Sequence, residues 1–474
     1  MKKAVIINAA SKYLNIILNL LVSAVLARLI EPSDYGIMAV ITVFTTFFST
    51  LSDMGLGTAI IQNKSLSEED VGSIFSLSVY ISGFLAMAFW LFSYAIAAFY
   101  SDAIYVKIGH WLSVPLVFNS MNMVPNGLLN REKRFLDMAV RNVVVYLLSA
   151  VVAIIAALNG AGIFALILQS ILSSLLIFVW SELLTRHRFS LRFRMESIRK
   201  VANYSGYQYA FSILNYFSRN LDNLLVGKFI GPTELGYYNR AYSLMLYPIN
   251  NITGVITPVL HPILSDYQND KDFIYRQYMK LIKLIATISV FVEVCCIFLA
   301  SDLIQFVYGD KWIGSIQCFR ILSVAIATQM ITGTTGSIFQ SLGQTRLLFI
   351  TGCINVTITI LGTIIGIFCG NTIEFLAVCV AASYLLHFIV AFYIMMRFGF
   401  RRAYFKFLLE LTSVIGTLLV LILAGVVCPF AFESHLRNLI AKGAYFFAIY
   451  VLCLFITGDY KVLKFLWKGR QKYD

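Results

Sequence analysis

The sequence predicts an all-α polytopic membrane protein of about fourteen transmembrane helices, built as two pseudo-symmetric six-helix lobes with a C-terminal helix pair. Three observations predict it. The first is composition: 59% of the 474 residues are hydrophobic and only 13% are charged, about half the charged share of a soluble domain. The second is the length of the apolar runs. A hydrocarbon layer takes roughly 20 residues to cross as helix, and runs of that length fill nearly the whole chain without the alternation of a barrel strand. The third is an internal copy. "RLIEPSDYG" at 28–36 recurs as "KFIGPTELG" at 228–236, and Ala10, Leu14, Asn15 and Leu21 recur as Ala210, Leu214, Asn215 and Leu221. One register held over that stretch marks a duplication.

In chain order, the first expected span is 13–30. Lys2 and Lys3 precede it as in a signal peptide, but Lys12 and Asn15 interrupt the apolar run and no small-residue cleavage site follows. The repeated stretch then makes a hairpin corner, since Pro, Ser or Thr, an acid and a trailing Gly suit a tight turn into a new helix. Spans 36–60, 72–99, 106–128, 138–158 and 161–183 complete an N-lobe over 1–184. Pro115 and Pro125 are expected to kink the fourth of these six spans. The segment 185–205 carries Leu191, Met195, Ile198 and Ala202 at helical spacing among Arg192, Arg194, Arg199 and Lys200, a basic amphipathic helix for the inner membrane face.

Spans 206–230, 236–262, 281–306, 314–340, 347–369 and 374–396 form a C-lobe over 206–400. An even number of spans per copy keeps its direction, so the lobes are parallel repeats about an axis along the membrane normal. Spans 407–428 and 438–457 have no counterpart and lie with a basic tail in a C-terminal segment, 401–474. With the N-terminus inside, the inner segments hold 28 of the 37 Lys and Arg residues. Both termini are therefore expected in the cytoplasm. The net charge of +13 reports this topology and contact with anionic membrane lipids, not nucleic acid. The eight cysteines lie in or beside apolar spans without metal-ligand spacing and read as small packing residues.

No loop outside the membrane exceeds about 25 residues, too few for a soluble catalytic domain or nucleotide-binding fold. Function is therefore expected between helices, where ionisable groups are costly and mark candidate sites. Arg219 and Asp222 are three apart in "SRNLDNLLVGK", with Asn215 and Asn223 nearby as amides suited to sugar hydroxyls. The alternative for this group is a structural pair between helices. Asp53 in "SDMGLG" is a second candidate, or a close-packing device with Gly55 and Gly57. Arg28 and Lys228 are outer-gate cations or snorkelling anchors. Arg141 and Arg320 meet a phosphate or snorkel. Glu293, in "VFVEVCC" near the middle of its span, is the candidate for proton or sodium coupling.

Four segments carry a resemblance: "SDMGLGTAIIQ" (52–62), "RNLDNLLVGKFIGPTELGYYNRAYSL" (219–244), "PVLHPILSDYQNDKDFIYRQYMKLIKLIA" (258–286) and "YGDKWIGSIQCFRIL" (308–322). In their order the chain resembles the polysaccharide transporter family, Wzx-type flippases of the multidrug/oligosaccharidyl-lipid/polysaccharide (MOP) superfamily. The resemblance implies a two-lobed bundle in the bacterial inner membrane, not an enzyme. It would move undecaprenyl-pyrophosphate-linked oligosaccharide from inner to outer leaflet by alternating access for surface polysaccharide synthesis. No cofactor is implied, a polysaccharide polymerase complex is the implied partner, and Asp222 with Arg219 would line the cavity. Glu293 stands where the family often has proline, so the coupling role is particular to this chain. Two alternatives are a multidrug or organic-cation antiporter, which calls for an acid-rich cavity, and a membrane polymerase, which calls for a large external loop.

Overall fold

The computed structural model describes residues 2–53, 57, 60–61, 63, 66–185 and 206–461, so the basic linker 186–205 and the tail past 461 lie outside the described residues. Among the described residues each expected span falls on helix and no strand occurs. Contacts gather Met1–Gly236 into one compact unit and Tyr237–Asp474 into another.

The first unit contains α1 (Lys2–Leu29), α2 (Pro32–Asp53), α3 (Glu68–Tyr100), α4 (Ile104–Met121), α5 (Met123–Arg131), α6 (Phe135–Leu158), α7 (Ile163–Thr185) and α8 (Gly206–Phe229). Helix α3 opens on a capping box: Ser67 Oγ accepts from the Asp70 amide at 3.1 Å, and Asp70 Oδ2 accepts from the Ser67 amide at 3.2 Å. The expected kink of the fourth span is a break between α4 and α5, placed where Pro125 has no N–H for the Met121 carbonyl. Helix α1 packs on α6, α3 on α4, and α7 on both α4 and α6, while α8 lies against α2 and α3.

The duplication is visible in the element bounds. α1 ends at Leu29 and α8 at Phe229; α2 starts at Pro32 and the long α9 (Pro232–Ser265) at Pro232. The two corners also meet. A Cβ built on Gly36 would strike the Pro232 carbonyl, and one on Gly236 would strike the Pro32 carbonyl. Only glycine lets the two backbones pass this closely. The corner between α8 and α9 turns through Gly231 at φ +128°, a conformation open to glycine.

Most of α9 belongs to the second unit, with α10 (Lys271–Phe298), α11 (Ala300–Tyr308), α12 (Ser315–Ser323), α13 (Ile326–Thr332), α14 (Thr335–Ser341), α15 (Thr345–Gly370), α16 (Ile373–Ile394), α17 (Tyr404–Glu410), α18 (Thr412–Val427) and α19 (His435–Thr457). The expected span 314–340 is a broken rod, bent by 50° between α12 and the α13–α14 segment. Gly362, Gly366 and Gly370 of α15 stack one turn apart, so that Leu376, Cys379 and Ser383 of α16 approach its backbone. The C-terminal pair is integral to this unit, with α18 on α10 and α19 on α10, α11 and α18. Ionic contacts hold α19 at both ends. Buried Asp302 accepts from Lys442 Nζ (2.8 Å), His435 Nδ1 (3.1 Å) and Asn438 Nδ2 (3.0 Å), and Lys283 pairs with buried Asp459 at 2.7 Å.

Among the described residues, eight helices are long and apolar enough to cross a membrane, or ten if each of two bent pairs is one span. Helices α8 and α9 are not among them. For α8 the reason is local: Arg219, Asn220, Asp222 and Asn223 interrupt its apolar run.

Candidate functional site

Within the first unit, α2 presents Thr42, Thr45, Thr46 and Ser49 on one face, at helical spacing. They line a cleft of about 190 Å³ with Asn119 of α4 and Ser170 of α7. Thr42, Thr46 and Asn119 are exposed in it. The hydroxyls of Thr45 and Ser170 donate to carbonyls of their own helices, Thr42 O and Leu166 O, each at 3.1 Å. That leaves their oxygen lone pairs free to accept. Leu112, Pro115 and Leu116 supply an apolar floor, and among the described residues no ionisable side chain lines the cleft.

Helix α8 is fastened beside it. The Tyr216 hydroxyl donates to Val43 O at 2.6 Å, and Phe47 packs on the Phe217 ring with centroids 4.8 Å apart. Nearer its C-terminal end, Tyr100 donates to Leu224 O at 2.9 Å. Lys228 donates to the Phe99 carbonyl and lies 5.1 Å from the Phe99 ring centroid, which fixes it against α3.

Within the first unit the expected site residues differ in cover. Asp222 is buried and its Oδ1 accepts from the Asn223 amide at 2.8 Å, whereas Arg219 is exposed. Among the described residues no ion pair joins the two. Arg28 is exposed at the end of α1, and Asn223 is half-buried. The side chains of Asp53 and Asn215 lie outside the described residues. In the second unit, Arg320 is exposed and donates to Gln317 Oε1 at 3.2 Å. Glu293 is buried there, and its Oε2 accepts from the Ala327 amide at 2.8 Å, in the first turn of α13. The first amides of a helix lack intrahelical partners, so this carboxylate caps the restart after the break.

Arg141 is the centre of a buried polar network in the first unit. At 3% exposure its guanidinium donates to Ser181 Oγ (2.5 Å), Asn126 Oδ1 (3.2 Å) and Asn142 Oδ1 (2.9 and 3.1 Å). These partners are neutral and come from α5, α6 and α7. Sequence reasoning singled out the arginine but not Asn126, Asn142 or Ser181, whose spacing along the chain carries no signal. It also passed over the hydroxyl row of α2, although "TVFTTFFS" (42–49) displays it at spacings of three, one and three.

The fold and the cleft define a class: a polytopic α-helical membrane protein with a duplicated bundle and a neutral polar recess in its first copy. The chain belongs to the polysaccharide biosynthesis protein family, whose model matches residues 25–317, and the resemblance read from the sequence is borne out. It is 27% identical over 394 residues to an uncharacterised membrane protein in the cps region of Klebsiella pneumoniae, covering 80% of this chain and 79% of that one. It is 23% identical over 336 residues to the lipopolysaccharide biosynthesis protein WzxC of Escherichia coli (strain K12), covering 70% and 68%. Its fold is that of the lipid II flippase MurJ in an inward closed conformation, with a TM-score of 0.74 at 14% identity over 97% of this chain and all of that one.

Proposed function

We propose that this protein is a flippase that carries undecaprenyl-pyrophosphate-linked oligosaccharide across the bacterial cytoplasmic membrane, inner to outer leaflet, for a surface polysaccharide. Family membership and the MurJ-like fold support the reading. The observation that carries it is the neutral, hydroxyl-lined cleft inside the duplicated bundle. A hydrated glycan needs replacement hydrogen bonds when it leaves water, and a hydrocarbon-lined path offers none. An organic-cation antiporter needs acids to hold its cargo, and none lines this recess.

In this reading the chain makes fourteen crossings with both termini in the cytoplasm, and its basic inner segments rest on anionic lipid. A proton or sodium gradient drives the cycle, with Glu293 the carboxylate to test first, and a polysaccharide polymerase receives the product. Arg219 and Asp222 are proposed to line the cavity, Arg28 and Lys228 to act as outer-gate cations, and Arg141 and Arg320 to be tested as phosphate contacts.

The deciding experiment is reconstitution. Purified protein in liposomes receives the lipid-linked oligosaccharide extracted from a strain deleted for the gene, tagged with a fluorophore on the glycan. Membrane-impermeant quencher should reach the tagged lipid from both leaflets within minutes, against hours in empty liposomes. Equal rates with and without protein would remove the proposal.

A further inference from the structure

We infer that the cleft between α2, α4 and α7 is a subsite for a single uncharged sugar ring of the cargo, and that it exists only in the first of the two copies. The inference rests on the flippase reading above and names the part of the cargo this site takes.

Four observations carry it. The first is size. At about 190 Å³ the cleft holds roughly six waters at ~30 Å³ each. It falls below the roughly 300–1,000 Å³ of pockets that enclose a drug-sized ligand, so it suits one ring and not a whole repeat unit. The second is charge. With no cation and no anion in its lining, a pyrophosphate placed there would lose its hydration against nothing of opposite sign.

The third is the pattern of donors and acceptors. Thr45 and Ser170 spend their hydroxyl protons on Thr42 O and Leu166 O and so present acceptors to a ligand. Asn119 adds an amide with both donor and acceptor, and Thr42 and Thr46 are exposed. A ring bearing several hydroxyls offers donors to such a row. Its C–H face needs an apolar surface, and Leu112, Pro115 and Leu116 provide one.

The fourth observation is the second copy. The 200-residue register carries Thr42, Thr45, Thr46 and Ser49 onto Tyr242, Met245, Leu246 and Ile249 of α9, and the matching starts of α2 and α9 show that the register holds into these helices. There three of the four side chains are apolar, with Met245 and Ile249 buried, and the Tyr242 hydroxyl meets that of Tyr384 at 2.5 Å. Threonine and serine hydroxyls are absent from the equivalent positions in one copy, where the single phenol is engaged by Tyr384, and gathered around an open recess in the other. Fold maintenance alone would not require that difference.

The test uses the full chain in proteoliposomes with two cargoes: the oligosaccharide lipid from the deletion strain, and undecaprenyl pyrophosphate with no sugar. Thr42→Val and Asn119→Leu keep side-chain shape and remove hydrogen bonding, and the pair is tested singly and together. The expected result is at least a tenfold loss in oligosaccharide-lipid transport by the double variant, with transport of the sugarless lipid within twofold of wild type. Thr42→Trp, which fills the recess, should give the same split. Equal loss for both cargoes in variants that unfold at the wild-type temperature would overturn the subsite and make the cleft structural. Unchanged transport of both would overturn it as a water-filled void. A wild type that moves neither cargo sinks the flippase reading itself, a result distinct from both.

Discussion

Glu293 shows how one buried group can serve two purposes that separate under mutation. Its Oε2 holds the Ala327 amide at 2.8 Å, where the rod from α12 to α14 breaks. Glu293→Gln keeps a carbonyl oxygen for that amide, so thermal unfolding in detergent should stay close to wild type. Glu293→Ala leaves a buried donor unsatisfied, at a cost of about 1–3 kcal/mol, and should lower the unfolding temperature. Transport against an imposed pH gradient tests the other purpose: a Gln variant with wild-type gradient dependence would end the coupling role. Arg141 makes a parallel case. Removing it as Arg141→Ala strands Asn126 and Asn142 acceptors on two helices, and charge-assisted bonds of this kind are worth about 1.5–3 kcal/mol each. Arg141→Lys should recover part of that stability, because one ammonium cannot span the partners the guanidinium fork reaches. Detergent unfolding curves for the two variants decide the order.

At the scale of elements, the hold on α19 is the contact most open to test. Asp302 has 6% side-chain exposure and Lys442 19%, so removing one partner leaves charge in a poor environment. Asp302→Ala should cost about 3–5 kcal/mol and expose the loop before α19 to protease. Asp302→Asn with Lys442→Met should restore most of the loss. Helix positions, both copies of the corner and the break at Pro125 were legible in the sequence, because apolar run length and proline chemistry act locally. The break before Ile326 was not, since no proline marks it and its capping carboxylate comes from α10, some thirty residues upstream. Pairing among charges was also hidden. Arg219 and Asp222 sit a turn apart, yet the neighbours of α8 bury one and leave the other exposed, and only the fold sets that cover. The hydroxyl row of α2 was present in the sequence and overlooked, because a threonine can satisfy its own proton on its helix and gives no sign of a partner.

For the molecule as a whole, the duplication fixes what can vary. A bundle built twice from one design has equivalent walls, and here that of α2 carries four hydroxyls where α9 carries Tyr242, Met245, Leu246 and Ile249. The corners kept their match. Gly36→Val or Gly236→Val places a side chain against a proline carbonyl, and the starts of α2 and α9 must separate. Thr42→Cys, nearly three turns along α2 and made in a variant without the eight native cysteines, should then react severalfold faster with a membrane-impermeant maleimide added from outside. Unchanged labelling in both variants would show that the crossing does not govern entry.

That crossing behaves as a clasp whose halves are mirror copies. Neither half can be loosened alone, because the glycine of each rests on the proline of the other. Two successive substitutions should therefore cost scarcely more than one, and a lineage that lost either glycine would have little reason to keep its twin.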